Sequence, residues 1–215
     1  MYQPVKYIDL GLSDYKKVWD YQETLFDSVV KIKISNRDTE QKTVTPNYLI
    51  FCEHPHVFTL GKSGSEGNLL VSEQQLKLAG LSFYKINRGG DITYHGPGQI
   101  VVYPIIDLEN FGLGIHSYVE KLEEVVILTL SEFGITSGRL SGASGVWIDS
   151  EIPSKARKIC ALGVRASHYV TMHGIAFNVN TDLSYFQKII PCGIPDKKVT
   201  SLSQELSCSV NVDEV

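Results

Sequence analysis

The chain has no apolar run long enough to cross a bilayer; its longest, IVVYPIIDL, is half the length a spanning helix needs. The opening MYQPVKYIDLG lacks the basic and apolar regions of a signal peptide, so a cytoplasmic protein without a membrane partner is expected. Positive charge is not in excess either. Twenty Lys and Arg stand against 24 Asp and Glu, a net charge of −4, which leaves no field for a phosphate backbone and excludes nucleic acid as the expected partner. A local basic patch built from Lys155, Arg157, Lys158, Lys188, Lys197 and Lys198 could still dock an acidic protein. There is no GxxxxGK[ST] and no GxGxxG opening a helix, so neither ATP nor a dinucleotide is indicated and no cofactor is expected. Cysteine is sparse and lacks framework spacing: Cys52, Cys160, Cys192 and Cys208 are read as free thiols in a reducing compartment, each a candidate nucleophile. No internal repeat is visible.

What is present is an ordinary globular composition, 43% hydrophobic and 20% charged over 215 residues, enough for one core; a single domain over residues 1–215 is the expectation. Val18, Tyr21, Leu25, Phe26 and Val29 fall at helical spacing from a Ser13 cap to about Val30. Residues 35–47 are polar and aperiodic, a surface loop. YLIFCEHPHVFTLG reads as a strand interrupted at His54-Pro55. Ser72 with Gln75 forms a capping box for a short helix that Gly80 ends. Strands are expected at SFYKIN and QIVVYPII. A second long helix spans Ile115 to Phe133, its stripe made of Ile115, Tyr118, Val119, Leu122, Val125, Val126, Leu130 and Phe133, with Gly134 as the stop. GVWID, RKICALGVRA and YVTMHGIAFNVN are β-rich runs in a meander. Helices and strands do not alternate as βαβ units would, so the fold class is α+β, a mixed or antiparallel sheet with packed helices.

The most unusual stretch is NRGGDITYHGPGQIVVYP, residues 87–104, in which four glycines surround Tyr94, His95 and Pro97. A plain hairpin accounts for the glycines but not for Arg88, Asp91, Tyr94, His95 and Gln99 along one edge. Cys192, in IIPCGIPD, sits between Pro191 and Gly193 in a turn that ends an apolar run, where an exposed, rigid loop suits a nucleophile better than a gap-filling role does. Cys52, His54 and His56 could share a strand face and suggest a metal, but Pro55 intervenes and a fourth ligand is missing, so no metal is expected.

From EHPHVFTLG through RGGDITYHGPGQIVVYPIIDL, GVWI, KICALGV and HGIAFNVN to IIPCGI, the chain resembles the lipoyl(octanoyl) transferase family, lipoate biosynthesis protein B. The resemblance implies the biotin and lipoate protein ligase fold. It also implies transfer of an octanoyl or lipoyl group from acyl carrier protein to a lysine of a lipoyl domain through a cysteine thioester, the first step of endogenous protein lipoylation. Octanoylated acyl carrier protein is then one partner; the lipoyl domains of 2-oxoacid dehydrogenase E2 subunits and the glycine cleavage H protein are the others. A monomer is expected. Carried over position by position, the resemblance makes Cys192 and Lys158 the catalytic pair. It lines the acyl pocket with Arg88, Gly89, Gly90, Asp91, Ile92, Thr93, Tyr94 and His95, with Ala161, Leu162 and Gly163, and with His173, Gly174 and Ile175. His95 and His173 are assigned to binding, as donors to the thioester carbonyl or as supports of the pocket backbone. The insert EIPSKAR leaves Lys155 as an alternative to Lys158. Cys160, on the same strand face as Lys158, is the rival nucleophile. The competing functions are an ATP-dependent lipoate or biotin protein ligase, which needs no cysteine, and a silent module that holds acylated carrier protein.

Overall fold

A computed structural model describes residues 3–152, 154–190 and 198–215. Its main sheet runs in the order β1-β2-β6-β10-β9-β8-β7, from Lys6–Leu12 (β1), Tyr48–Glu53 (β2), Gln99–Ile105 (β6), Val170–Asn178 (β10), Arg157–Ser167 (β9) and Ala143–Ile148 (β8) to Ser137–Leu140 (β7). The short strand β11 (Lys198–Val199) pairs in parallel beside β9. A second sheet sets Val57–Leu60 (β3) between Ser82–Lys85 (β4) and Ile92–His95 (β5). The α-helices among the described residues are α1 (Tyr15–Ser35), α2 (Glu73–Leu78), α3 (Ile115–Glu132) and α4 (Leu202–Leu206). The α+β class with a mixed sheet is therefore what the chain adopts: β8 through β10 form the expected meander, antiparallel throughout and extended by β7, which the sequence reading did not include, while β1 and β2 are parallel.

The main sheet is buried on both faces, and the pleat decides which side each residue serves. Val101, Tyr103 and Ile105 of β6 join Met172 and Ala176 of β10 beneath α1, where Val18, Phe26 and Val29 meet them. The alternate residues Val102, Ile175 and Phe177 turn to the other face, against Val126 and Leu130 of α3 and Leu202 of α4. All nine residues of β10 are buried, so its apolar residues do not alternate with exposed polar ones, and its polar residues Thr171, His173 and Asn178 are buried with them.

Several expectations change. The cap of α1 is Asp14, whose side chain accepts from Lys17 N–H at 3.0 Å, while Ser13 donates its hydroxyl to Leu10 O. In α1, Gln22 rather than Tyr21 is buried. The stripe on α3 is narrower than expected: Ile115 and Val125 are exposed at 47% and 57%, and a carboxylate, Glu123, takes a buried place. Periodicity counts apolar residues, but helix orientation on the sheet selects which of them face inward. β1 has no counterpart in the sequence reading, because KYIDLGL is a mostly exposed edge without a clean alternation. The capping box of α2 is present in both directions, Ser72 N–H to Gln75 Oε1 at 2.8 Å and Gln75 N–H to Ser72 Oγ at 3.2 Å. The break at His54-Pro55 does more than interrupt a strand. It sends β2 into the main sheet and β3 into the small one.

Candidate active site

The two sheets meet around a cavity of about 270 Å³, near the lower end of the usual size of small-ligand pockets. Its wall takes Arg88, Gly90, Asp91, Ile92, Thr93 and His95 from the glycine-rich segment and β5, Lys158, Ala161, Leu162 and Gly163 from β9, and His173, Gly174 and Ile175 from β10. Three separated stretches of sequence thus converge on one space. Tyr15, Ser63, Tyr103, Gly142, Ala143, Ser144 and Ala176 complete the wall and were not singled out from sequence. Tyr15 and Tyr103 fall there inside a helix and a strand without a distinguishing pattern, and small residues of a hairpin tip carry no chemical signal.

Glycines set the distance between the two sheets. A Cβ at Gly163 on β9 would lie 2.9 Å from Gly89 O, so a side chain there would force the layers apart, and within the small sheet a Cβ at Gly61 would lie 2.3 Å from Gly90 O and push the loop away from β3. Arg88, 8% exposed, bolts the same loop down, donating to Thr59 O (2.8 Å), Thr59 Oγ1 (3.0 Å) and Gly89 O (2.9 Å). Gly89 serves through its backbone, its N–H donating to Val164 O at 2.9 Å, and is not on the wall. Tyr94 is not on the wall either. The pleat turns it into the core of the small sheet with Phe58 and Phe186, and its hydroxyl shares a hydrogen bond with His56 Nδ1 at 2.6 Å.

The two cavity histidines, His95 and His173, are neutral. Gln99 Nε2 donates to Tyr94 O and Asn178 Oδ1, so Gln99 Oε1 accepts the Nδ1 proton of His95 at 2.8 Å. His95 Nε2 is then left to accept from Thr59 at 3.4 Å. Asn87 Nδ2 donates to Glu23, so Asn87 Oδ1 accepts the Nε2 proton of His173 at 2.9 Å. Burial pushes both imidazoles down to about 3, with His54 adding to the shift in His95 and Arg88 to that in His173. Neither ring has a proton left over for a thioester carbonyl; their hydrogen bonds to the side chains of Gln99, Thr59 and Asn87 hold the rings in place. His173 has its φ at +59°, opposite Pro104, and the glycine after it leaves room for Pro104 Cδ, which a Cβ there would approach to 2.8 Å. The freed N–H of His173 goes to Gln22 Oε1 at 3.0 Å, tying α1 to the cavity floor.

Lys158 is on the wall, 7% exposed, its ammonium 4.7 Å from the centre of the Trp147 ring. Lys155 is exposed and off the wall. Cys160 is buried among the residues under α3, and burial pushes its thiol up to about 12. Cys192 lies outside the described residues. On either side of it, Ile190 N–H donates to Asn68 O at 2.8 Å, and Val199 pairs with Lys158, with Thr200 N–H on Lys158 O at 2.9 Å. Cys52 lies on β2 while His56 lies in the bend before β3, and both nitrogens of His54 are taken, Nδ1 by Ser13 O (2.7 Å) and Nε2 by Tyr103 Oη (2.9 Å).

The family pattern of the lipoyl protein ligase A/B catalytic domain matches residues 14–215. Among curated proteins, the octanoyltransferase of Flavobacterium psychrophilum is 61% identical, the match covering all of this chain and 93% of that protein. The octanoyltransferase of Cytophaga hutchinsonii is 59% identical over 96% of this chain and 86% of its own length. Among solved structures, the bi-partite lipoate protein ligase of Thermoplasma acidophilum superposes with a TM-score of 0.68, covering 99% of this chain and 79% of that one, at 17% identity. That last likeness is one of fold.

Proposed function

Because this chain belongs to the lipoyl protein ligase A/B catalytic-domain family, we propose that it acts as an octanoyltransferase in protein lipoylation, with Cys192 and Lys158 as its catalytic pair. It is an acyltransferase. The observation that carries the site assignment is the position of Lys158, an ammonium on the wall of a largely apolar cavity, hydrogen-bonded through its backbone to the strand to which the chain returns after Cys192.

In the first half-reaction the Cys192 thiolate attacks the carbonyl of octanoyl-phosphopantetheine on acyl carrier protein. The C–S bond to the pantetheine breaks and its sulfur leaves as a thiolate that takes up a proton. The exchange is nearly isoenergetic, so it needs positioning rather than driving force. In the second, the ε-amine of a lipoyl-domain lysine attacks the acyl-cysteine, the C–S bond to Cys192 breaks, and the amine's proton passes to the departing sulfur by way of Lys158. An ammonium beside the sulfur favours the thiolate in both halves. Ile92, Ala161, Leu162 and Ile175 offer the eight-carbon chain an apolar lining. The partners are octanoylated acyl carrier protein and the lipoyl domains of 2-oxoacid dehydrogenase E2 subunits and glycine cleavage H protein. We place the enzyme in the cytoplasm, as a monomer acting through one catalytic domain over residues 1–215, and the mechanism calls for no cofactor.

The test is intact mass spectrometry after mixing with octanoyl acyl carrier protein. One hydroxylamine-sensitive octanoyl group is expected on the enzyme and none on Cys192→Ala, with transfer at full rate in the absence of ATP and magnesium. An enzyme that stays unmodified while turning over, or a Cys192→Ala variant that transfers acyl groups with ATP, would move the chain to the ligase class that its fold neighbour represents.

A further inference from the structure

The assignment of Lys158 leaves open what aims it. Glu123 is a carboxylate in the middle of α3, 6% exposed, on a face otherwise given to apolar packing. Both of its oxygens are in use. Oε1 accepts the Gly145 N–H at 2.8 Å, and Oε2 accepts from Arg139 Nε at 3.0 Å, so one side chain holds both strands of the β7–β8 hairpin. Gly145 has its φ at +108°, and a Cβ there would lie 2.4 Å from Cys160 O, so the backbone presses directly on β9. At this point the pairing of β8 with β9 slips: Val146 pairs with Cys160 but Trp147 with Lys158. The slip sets the Trp147 ring against the Lys158 ammonium at 4.7 Å, and the Trp147 indole N–H is fixed by Ala143 O at 3.0 Å, on the hairpin tip that lines the cavity.

We infer that Glu123 is a positioning residue for Lys158: by capturing the Gly145 N–H it holds the β8 bulge that sets the Trp147 ring, and the ring holds the ammonium at the cavity wall. The inference rests on the reading of Lys158 as catalytic. Glu123 touches no reacting atom, and a buried carboxylate paired with Arg139 would be costly to keep merely as packing.

The experiment uses the full-length enzyme carrying Trp19→Phe, which leaves Trp147 as the sole indole. Steady-state octanoyl transfer and Trp147 emission are measured for Glu123→Ala, Glu123→Gln and Lys158→Ala, and for Glu123→Ala combined with Lys158→Ala. Glu123→Ala is expected to lower kcat by about tenfold or more, with KM for octanoyl acyl carrier protein within about twofold, and to shift the Trp147 emission. Glu123→Gln, which can still accept from Gly145, is expected to recover most of the rate. In the Lys158→Ala background, Glu123→Ala should cost nothing further, because a residue that acts through Lys158 has nothing left to act on. Should Glu123→Ala fail to fold, Glu123→Asp, one methylene too short to keep both contacts, is read in its place. Wild-type kcat in the Glu123 variant, or an additive loss on top of Lys158→Ala, overturns the inference. If Lys158→Ala by itself keeps full kcat, the catalytic assignment of Lys158 fails instead. The emission data then decide the rest: a shift on Glu123→Ala supports the structural link to Trp147, and an unchanged spectrum overturns that too.

Discussion

Cys160 and Cys192 compete on paper for the role of nucleophile, and the structure turns that competition into a rate ratio. Burial raises the Cys160 thiol to about 12, against about 8.5 for a solvated thiol. At pH 7.4 that leaves roughly 3,000-fold less thiolate at Cys160 than at an ordinary exposed cysteine. The more basic thiolate is intrinsically more nucleophilic, and a Brønsted slope of about 0.4–0.5 returns a factor of roughly 30–50. The net expectation is that iodoacetamide labels Cys160 about 100-fold more slowly than the exposed Cys208, before any steric exclusion from the core is counted. Labelling at Cys160 should also keep rising about tenfold per pH unit well past the point where an ordinary thiol levels off. The assay is peptide-resolved alkylation of wild type and Lys158→Met over a pH series. Loss of the Lys158 charge is expected to slow Cys192 and leave Cys160 inert. Labelling of Cys160 at or above the rate of Cys208, or acyl transfer that survives Cys192→Ser but not Cys160→Ser, would refute the reasoning and reverse the assignment.

Other expectations follow from the same packing. His54, His95 and His173 are held by burial at about 4, 3 and 3 in the folded chain, against about 6.5 unfolded. The unfolded state therefore binds more protons below pH 6.5, so their contribution is complete above that value and is lost as pH falls toward 3–4. Urea titrations should record a loss of about 2 kcal/mol per histidine between pH 7 and pH 5, and a flat profile over that range would contradict the buried neutral rings. Gly145→Ala should abolish transfer and lower the melting temperature, since its Cβ meets Cys160 O at 2.4 Å. Gly142→Ala, also at positive φ but with nothing within 4 Å, should cost only about 1–2 kcal/mol of backbone strain, read by thermal melting. On α3, Val126→Ala should destabilise by about 1–3 kcal/mol while the neighbouring Val125→Ser stays within about 0.5, as chemical denaturation will report.

Much of this protein was legible in its order of residues, wherever the signal is local. Helix α3 and its stop at Gly134, the capping box at Ser72, the strand break at Pro55 and the β8–β10 meander all depend on neighbours a few positions apart. The site residues of three separated motifs were legible as motifs, and the resemblance they carry pointed to the family that the comparison with known proteins shows. What the residue order could not decide is which side of an element a residue serves. Tyr94 and His95 are adjacent, yet the pleat sends one to the core and the other to the cavity, and only sheet pairing sets that phase. Val125 and Val126 are the same residue twice, separated by a 100° turn of helix whose orientation comes from docking on the sheet. Lys158 and Lys155 carry the same charge, and it is the pairing of β9 with β8 that brings Lys158 against Trp147 and onto the cavity wall. Glu123 had no local reason to be singled out at all. Its partners, Arg139 and Gly145, lie 16 and 22 residues away, and a buried carboxylate becomes meaningful only when the fold delivers both donors to it.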